Sequence, residues 1–387
     1  MAFLLNRNCL RHNPTENQAR TLHASRIEDG AMKYVGKTGF SFLLSIGLFA
    51  AGASAQAEQI NLRAGSGHPV GLLSYTETAH KFFVPELKKR IEENTNHGVR
   101  VMELHAGQIA KVTEVLEATR DGLLDIGFIS MIFEPSELLA HNFPLFLPFG
   151  SPDAKIASEA ARATYEAHPE LAETFEKKYN QKLLAISCLS NYGLGTNFSW
   201  ENFSDLQGHK IAGAGVNLDW IKGATPVASN LNEAYQSIQT GVYQGYISTS
   251  SWWTTFKLNE VAKHFTKIDF GAMPVNSVTI NLKTWNRLPA NVQQILKDVA
   301  KDYEDATAEV CAANDRNGLQ KARDAGVKVS EISPEARIAW AEALKDFPNR
   351  MAQEVNRQGM PGTAIMKTYI SELEKRGYEF PYAYQID

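Results

Sequence analysis

With 387 residues, 44% hydrophobic and 21% charged, the chain is long enough for two globular domains and has neither a disordered nor a membrane-bundle composition. A formal net charge of −4 provides no basic footprint, so nucleic acid is not an expected partner. The three cysteines and ten histidines fall outside the spacings of zinc, thiol-redox, nucleophile-elbow and phosphate-loop motifs, so no metal, cofactor or catalytic group is expected and the chain does not read as an enzyme.

The chain opens with a polar stretch, residues 1–31, that carries Arg and His and reads as an extension upstream of the natural start at Met32. From there "MKYVGKTGFSFLLSIGLFAAGASAQA" has the layout of a secretory signal peptide over residues 32–57. Lys33 and Lys37 precede an apolar core from Phe40 to Ala51, and a small-residue cleavage site falls at Ala55 or Ala57. That core is shorter than the roughly 20 residues a membrane-spanning helix needs, and no Cys at the site offers a lipid anchor. The expected address is the periplasm. Cys9 then falls in the removed segment, and Cys188 and Cys311 are expected as two separate buried thiols.

The mature chain alternates strands and helices. "QINLRAGSG" predicts a first strand, and the following helical stretch must kink or divide at Pro85. "VRVMELHA" alternates as a strand, "TEVLEATRDG" is a short helix stopped at Gly122, and "LLDIGFISM" is a buried strand. After the proline-punctuated connector "FPLFLPFGSP" and a helical stretch from Asp153 to Lys178, "KLLAISCLS" is expected to begin a second α/β region. That region continues through "HKIAGAG", "GATPVAS" and "YQGYIST". A long helix is predicted from Pro289 to about Ala325 and a helical tail from Pro334 to Arg376. The expectation is an α/β protein with a two-lobe, periplasmic-binding-protein-like fold, crossover strands and a long bridging helix. The lobes are expected at 58–182 plus about 272–305, and at 183–271 plus about 306–350, with a C-terminal tail at 351–387. Ligands of open α/β sheets sit beyond the carboxyl ends of strands, so the facing strand ends should wall a cleft.

Four segments in order, "DLQGHKIAG", "GATPV", "EAYQSIQTGVYQG" and "NLKTWNRLP", resemble the solute-binding subunits of tripartite ATP-independent periplasmic (TRAP) transporters, the dicarboxylate-binding DctP-like family. The resemblance runs from about Ile60 to about Ala325. It implies closure of two lobes on a small molecule and delivery to membrane permease subunits driven by a cation gradient. A monomer is expected, with a dimer through the C-terminal helices as the alternative. The family's usual "KIR" arginine, whose planar fork pairs with a ligand carboxylate, is replaced here by Ala212. A second arginine position is closest to Tyr192, and the family's "VDGQENP" becomes "YQGYIST", placing Gln244 and Ser248 at its aspartate and asparagine.

With those groups changed together, a simple carboxylate is not the expected ligand. The candidate ligand-binding residues are Tyr246, Ser248, Tyr192, Trp220, Asp219, Phe133, Glu134, Trp252 and His68, with Trp253 and Phe256 read as core. Rings beside a carboxylate attract a cation, so a small amine or amino alcohol such as ethanolamine is favoured. A neutral or aromatic solute is the alternative. A reading of another class, an exported enzyme on the same scaffold, requires a nucleophile such as Ser248 near His68 or His264.

Overall fold

The computed structural model describes residues 59–387, so the N-terminal extension and signal peptide expected from the sequence lie outside the described residues. Two sheets organise the chain. The first contains β1 (Gln59–Gly65), β2 (Gly98–Leu104), β3 (Ile126–Ser130), β4 (Gln181–Leu189) and β10 (Met273–Asn281), in the order β2-β1-β3-β10-β4. The second contains β5 (Tyr192–Thr196), β6 (Lys210–Gly213), β7 (Thr225–Ala228), β8 (Gly245–Thr249), β9 (His264–Lys267) and β11 (Lys328–Glu331), in the order β11-β9-β5-β8-β6-β7.

In the first sheet β1 pairs in parallel with β2 and β3, whereas β10 runs antiparallel to β3 and β4. β3 and β10 are buried along their whole length, as strands covered on both faces are, with Asn276 and Asn281 of β10 buried among its apolar residues. Pro85 falls in the first turn of the helix Val84–Asn94, inside a continuous helical run where it cannot donate to the preceding turn. The predicted division there is a π-helical turn, Ala79–Phe83, joining Ser74–Thr78 to that helix.

β4 corrects the expectation that "KLLAISCLS" begins the second region. Its residues pair with β10 from Gln181 opposite Asn281 to Leu189 opposite Met273, so the strand is the edge of the first sheet. The chain crosses at Ser190 and Asn191 and enters the second sheet with β5, which pairs with β8 and β9. It returns between β9 and β10 through Gly271, whose φ of +117° suits glycine.

The long helix spans Ala290–Asp324, 35 residues, far beyond the usual 10–14, roughly, of a globular helix. Val292, Leu296, Val299, Ala300 and Tyr303 bury its first half in the core of the first sheet. Ala322 joins the second core cluster, and Gly318 lets the helix lie against Ser250 and Ser251 of the second region. A Cβ at Gly318 would stand 2.5 Å from the Ser251 backbone nitrogen, so the crossing depends on glycine. The tail forms three helices, Pro334–Ala343, Phe347–Arg357 and Gly362–Lys375, and the last two pack back on the first region. No helix among the described residues is long and apolar enough to cross a membrane.

Candidate functional site

A cavity of about 530 Å³ lies between the two sheets, walled by residues just beyond strand ends. From the first sheet come His68 after β1, Lys111 and Thr113 after β2, and Ser130, Ile132 and Phe133 at the end of β3. The second sheet supplies Asn217 after β6, Asn230, Leu231 and Asn232 after β7, and Tyr246, Ile247 and Trp252 on and after β8. Tyr192, the first residue after the crossing, stands between the two sets.

Five of the nine candidate residues line this cavity: His68, Phe133, Tyr192, Tyr246 and Trp252. Tyr192 meets Trp252 edge-on, with centroids 5.7 Å apart and planes at 85°. Tyr246 is held by its hydroxyl, which donates to the Ser229 carbonyl at 3.1 Å. Burial raises both phenols above their ordinary range, so neither ionises near neutral pH. His68 packs edge-on against Phe133 at 5.6 Å, and its Nδ1 is 2.7 Å from the Tyr75 hydroxyl. Burial lowers the imidazole to about 4, so His68 is a neutral hydrogen-bonding group at physiological pH.

The other four lie elsewhere. Trp220 is fully buried; its Nε1 donates to the Leu145 carbonyl at 3.0 Å, and its ring backs Tyr192 edge-on at 5.9 Å. An indole at a strand end serves here as the support of a wall residue, because the turn Gly215–Trp220 directs it into the core while Asn217 faces the cavity. Asp219, half exposed, pairs with Arg350 at 3.0 Å on the surface. Ser248 is buried within β8, not past its end, and its Oγ donates to the Thr249 carbonyl at 3.2 Å. Its hydroxyl is so engaged and makes no hydrogen bond to a histidine among the described residues, so the nucleophile and base of the enzyme reading are not paired.

Glu134 is buried just outside the lining. Its Oε1 has no hydrogen-bond partner among the described residues. Burial, reinforced by the charges of Glu117 and Glu137, pushes its carboxyl up to about 7. Of the two adjacent indoles, Trp252 faces the cavity and Trp253 is core, with its Nε1 bonded to the Ala262 carbonyl, as the roughly 100° step between neighbouring helical residues allows. Phe256, read as core from the sequence, belongs to the wall as well as to the packing beneath it.

Sequence reasoning missed the polar part of the wall. Asn217 uses its Oδ1 to accept the Ala214 N–H at 2.8 Å, and its amide nitrogen makes no hydrogen bond among the described residues. Asn230 caps the helix Leu231–Gln239 through its Oδ1. Lys111 is the one cationic side chain in the wall and forms no ion pair among the described residues. The readable signal for all three was position after a parallel strand. Among the described residues the wall contains no arginine and no carboxylate, and Ala212, which the sequence reading set at the family's arginine position, is buried in β6. The lining can therefore stack and enclose an apolar body, offer amide and hydroxyl hydrogen bonds, and present a single positive charge.

The family model for bacterial extracellular solute-binding protein, family 7 (DctP) matches residues 71–354. Over 154 residues, 40% of this chain, the sequence is 31% identical to the C4-dicarboxylate-binding periplasmic protein DctP of Rhodobacter capsulatus. Over 158 residues, again 40% of this chain, it is 31% identical to a solute-binding protein of Sulfitobacter sp. strain NAS-14.1. The chain spans about half the length of these two relatives, 45% and 47%. A TRAP periplasmic solute-binding protein from Bordetella bronchiseptica, solved with bound (R)- and (S)-mandelate, superposes with a TM-score of 0.70. It is 23% identical, and the match covers 82% of this chain and 99% of that one. That likeness shows the two-lobe fold. Each of these relatives and neighbours is named for solute binding. The chain belongs to family 7 of the bacterial extracellular solute-binding proteins, the DctP family of TRAP solute-binding subunits.

Proposed function

We propose that the protein captures a small, largely apolar solute in the cavity between its lobes and presents it to the membrane permease of a TRAP transporter. The solute has an aromatic or comparably flat hydrophobic body and is neutral or carries one acidic group. The observation that carries this reading is the wall itself. Tyr192, Trp252, Phe133 and Phe256 supply ring surface, His68 and Asn217 supply uncharged hydrogen bonding, and Lys111 is the sole charge among the described residues. Such a wall has few groups with which to repay the desolvation of a dianion.

An amine such as ethanolamine fits less well than the sequence suggested. That reading depended on a carboxylate beside the rings, and neither Asp219 nor Glu134 lines the cavity, whereas Lys111 opposes a cation. A hinged receptor of this family acts outside the cytoplasm, which agrees with the export signal read at residues 32–57.

A thermal-shift screen tests the ligand class, because a molecule that binds the native state raises the melting temperature by mass action. The panel is benzyl alcohol, mandelate, succinate, galacturonate and ethanolamine. Stabilisation by benzyl alcohol or mandelate, with succinate and ethanolamine inert, supports the reading; stabilisation by succinate or ethanolamine alone refutes it.

A further inference from the structure

Cys188 lies next to the end of β4, and Cys311 lies on the long helix, 123 residues away in sequence. Both are free, fully buried thiols, as expected from the sequence, but they are neighbours: the sulfur atoms stand 3.1 Å apart. That distance is about 1 Å beyond the ~2.05 Å of a disulfide bond.

The surroundings favour close approach. The two cysteines share a cluster with Ala154, Ala157, Ala272 and Ala308, whose small side chains let strand and helix come together. The backbones are fixed from both sides: Ser74 Oγ donates to the Cys188 carbonyl and Ser190 Oγ donates to the Cys311 carbonyl, each at 3.2 Å.

We propose that Cys188 and Cys311 are a disulfide-forming pair that locks the long helix to the edge strand of the first sheet, beside the point where the chain crosses between lobes. This goes beyond the ligand reading and does not depend on it. The oxidant is a small or protein disulfide, which the exchange reduces to thiols. One cysteine thiolate attacks the donor's disulfide to give a mixed disulfide, and the second thiolate displaces the donor sulfur. In total two S–H bonds are lost and one S–S bond forms. Two electrons and two protons pass to the donor, which leaves as two thiols. Because both sulfurs are buried in the finished fold, the exchange belongs to folding, before the alanine cluster closes.

Position gives the bond its consequence. Cys188 precedes Ser190 and Asn191, where the first crossing occurs, and Cys311 lies one helical turn before Asp315, which accepts the Asn191 N–H at 3.1 Å. A covalent tie here fixes the fulcrum to the first lobe and leaves the second lobe free to turn about it.

The test uses the full chain, reduced and unfolded, then refolded in a glutathione redox buffer, alkylated and mapped by peptide mass. The expected result is a linked pair of peptides bearing Cys188 and Cys311, two hydrogens lighter than the reduced pair. The oxidised protein should also melt several degrees higher than the reduced protein. In a Cys188→Ala, Cys311→Ala double variant that redox dependence should vanish, although Cys9 is still present. Alkylated thiols or glutathione adducts at both positions in the refolded wild-type chain overturn the proposal, whatever the variant's folding yield.

Discussion

The Asn191 backbone N–H donates to the Asp315 carboxylate at 3.1 Å, which joins the first crossing to the long helix. The same asparagine reaches the second crossing. Its Nδ2 donates to Asp269 Oδ1 at 2.6 Å and its Oδ1 accepts the Gly271 N–H at 3.1 Å. One side chain and one peptide group therefore tie together three segments that pass between the sheets: the two strand crossings and the long helix. The junction directly adjoins Tyr192 in the cavity wall.

Asp315 makes that junction pH-dependent. Burial raises its carboxyl to about 7, with the Asp269 charge adding to the effect and the Asn191 hydrogen bond opposing it. The folded protein therefore holds a proton that the unfolded chain releases near pH 4, so this group's contribution falls as pH rises from about 4 through about 7. Asp315→Asn keeps an acceptor for Asn191 and removes the charge. It should melt higher than the wild type at pH 8 and lose that advantage by pH 5, with at most about 4 kcal/mol at stake. Melting curves at the two pH values check this; an advantage that grows on acidification contradicts it.

His68 should give no pH step in binding across the neutral range. Its imidazole, lowered by burial to about 4, stays neutral from pH 5.5 to 8. Affinity for a neutral probe such as benzyl alcohol should be flat over that interval and change only below about pH 5. A sigmoidal change centred near 6.5 would show a solvated histidine instead.

Trp220 and Trp252 separate support from contact. Trp220→Ala removes a fully buried indole and its hydrogen bond to Leu145, so it should cost about 3–5 kcal/mol of stability. Trp252→Ala opens the cavity wall and should weaken ligand binding about ten- to a hundredfold, with a smaller stability loss. Denaturant unfolding and calorimetry on both variants distinguish the two roles. Equal loss of affinity and stability in both would dissolve the distinction.

Asp219→Ala should leave affinity unchanged and stability within about 1 kcal/mol, because its pair with Arg350 is half exposed. Lys111→Ala should lower affinity for mandelate several-fold and leave that for benzyl alcohol untouched. A parallel loss for both probes would mean that Lys111 acts through packing, not charge.

The strand ends that build the cavity were legible because they follow runs whose period or apolarity is strong, as in "LLDIGFISM" and "YQGYIST". The long helix was placed within a residue at each end, bounded by Pro289 and Gly326. Legibility failed where partners decide. β4 has the same composition as a second-region strand, and only its pairing with β10 assigns it to the first sheet. β5, β9 and β11 are short and have no periodicity of their own; they exist because neighbouring strands take up their backbone groups. Side-chain direction was the other limit. Nothing local to "GVNLDWIKG" says that Asn217 faces the cavity and Trp220 the core, and the use of Lys111 depends on how the loop after β2 is folded back over the strand ends.

Calorimetric titration of the wild-type protein with mandelate and with succinate under identical conditions tests the central claim most directly. Saturable mandelate binding that Trp252→Ala weakens at least tenfold, with no detectable heat from succinate, is the expected result. Tight succinate binding that is indifferent to Trp252 would contradict it.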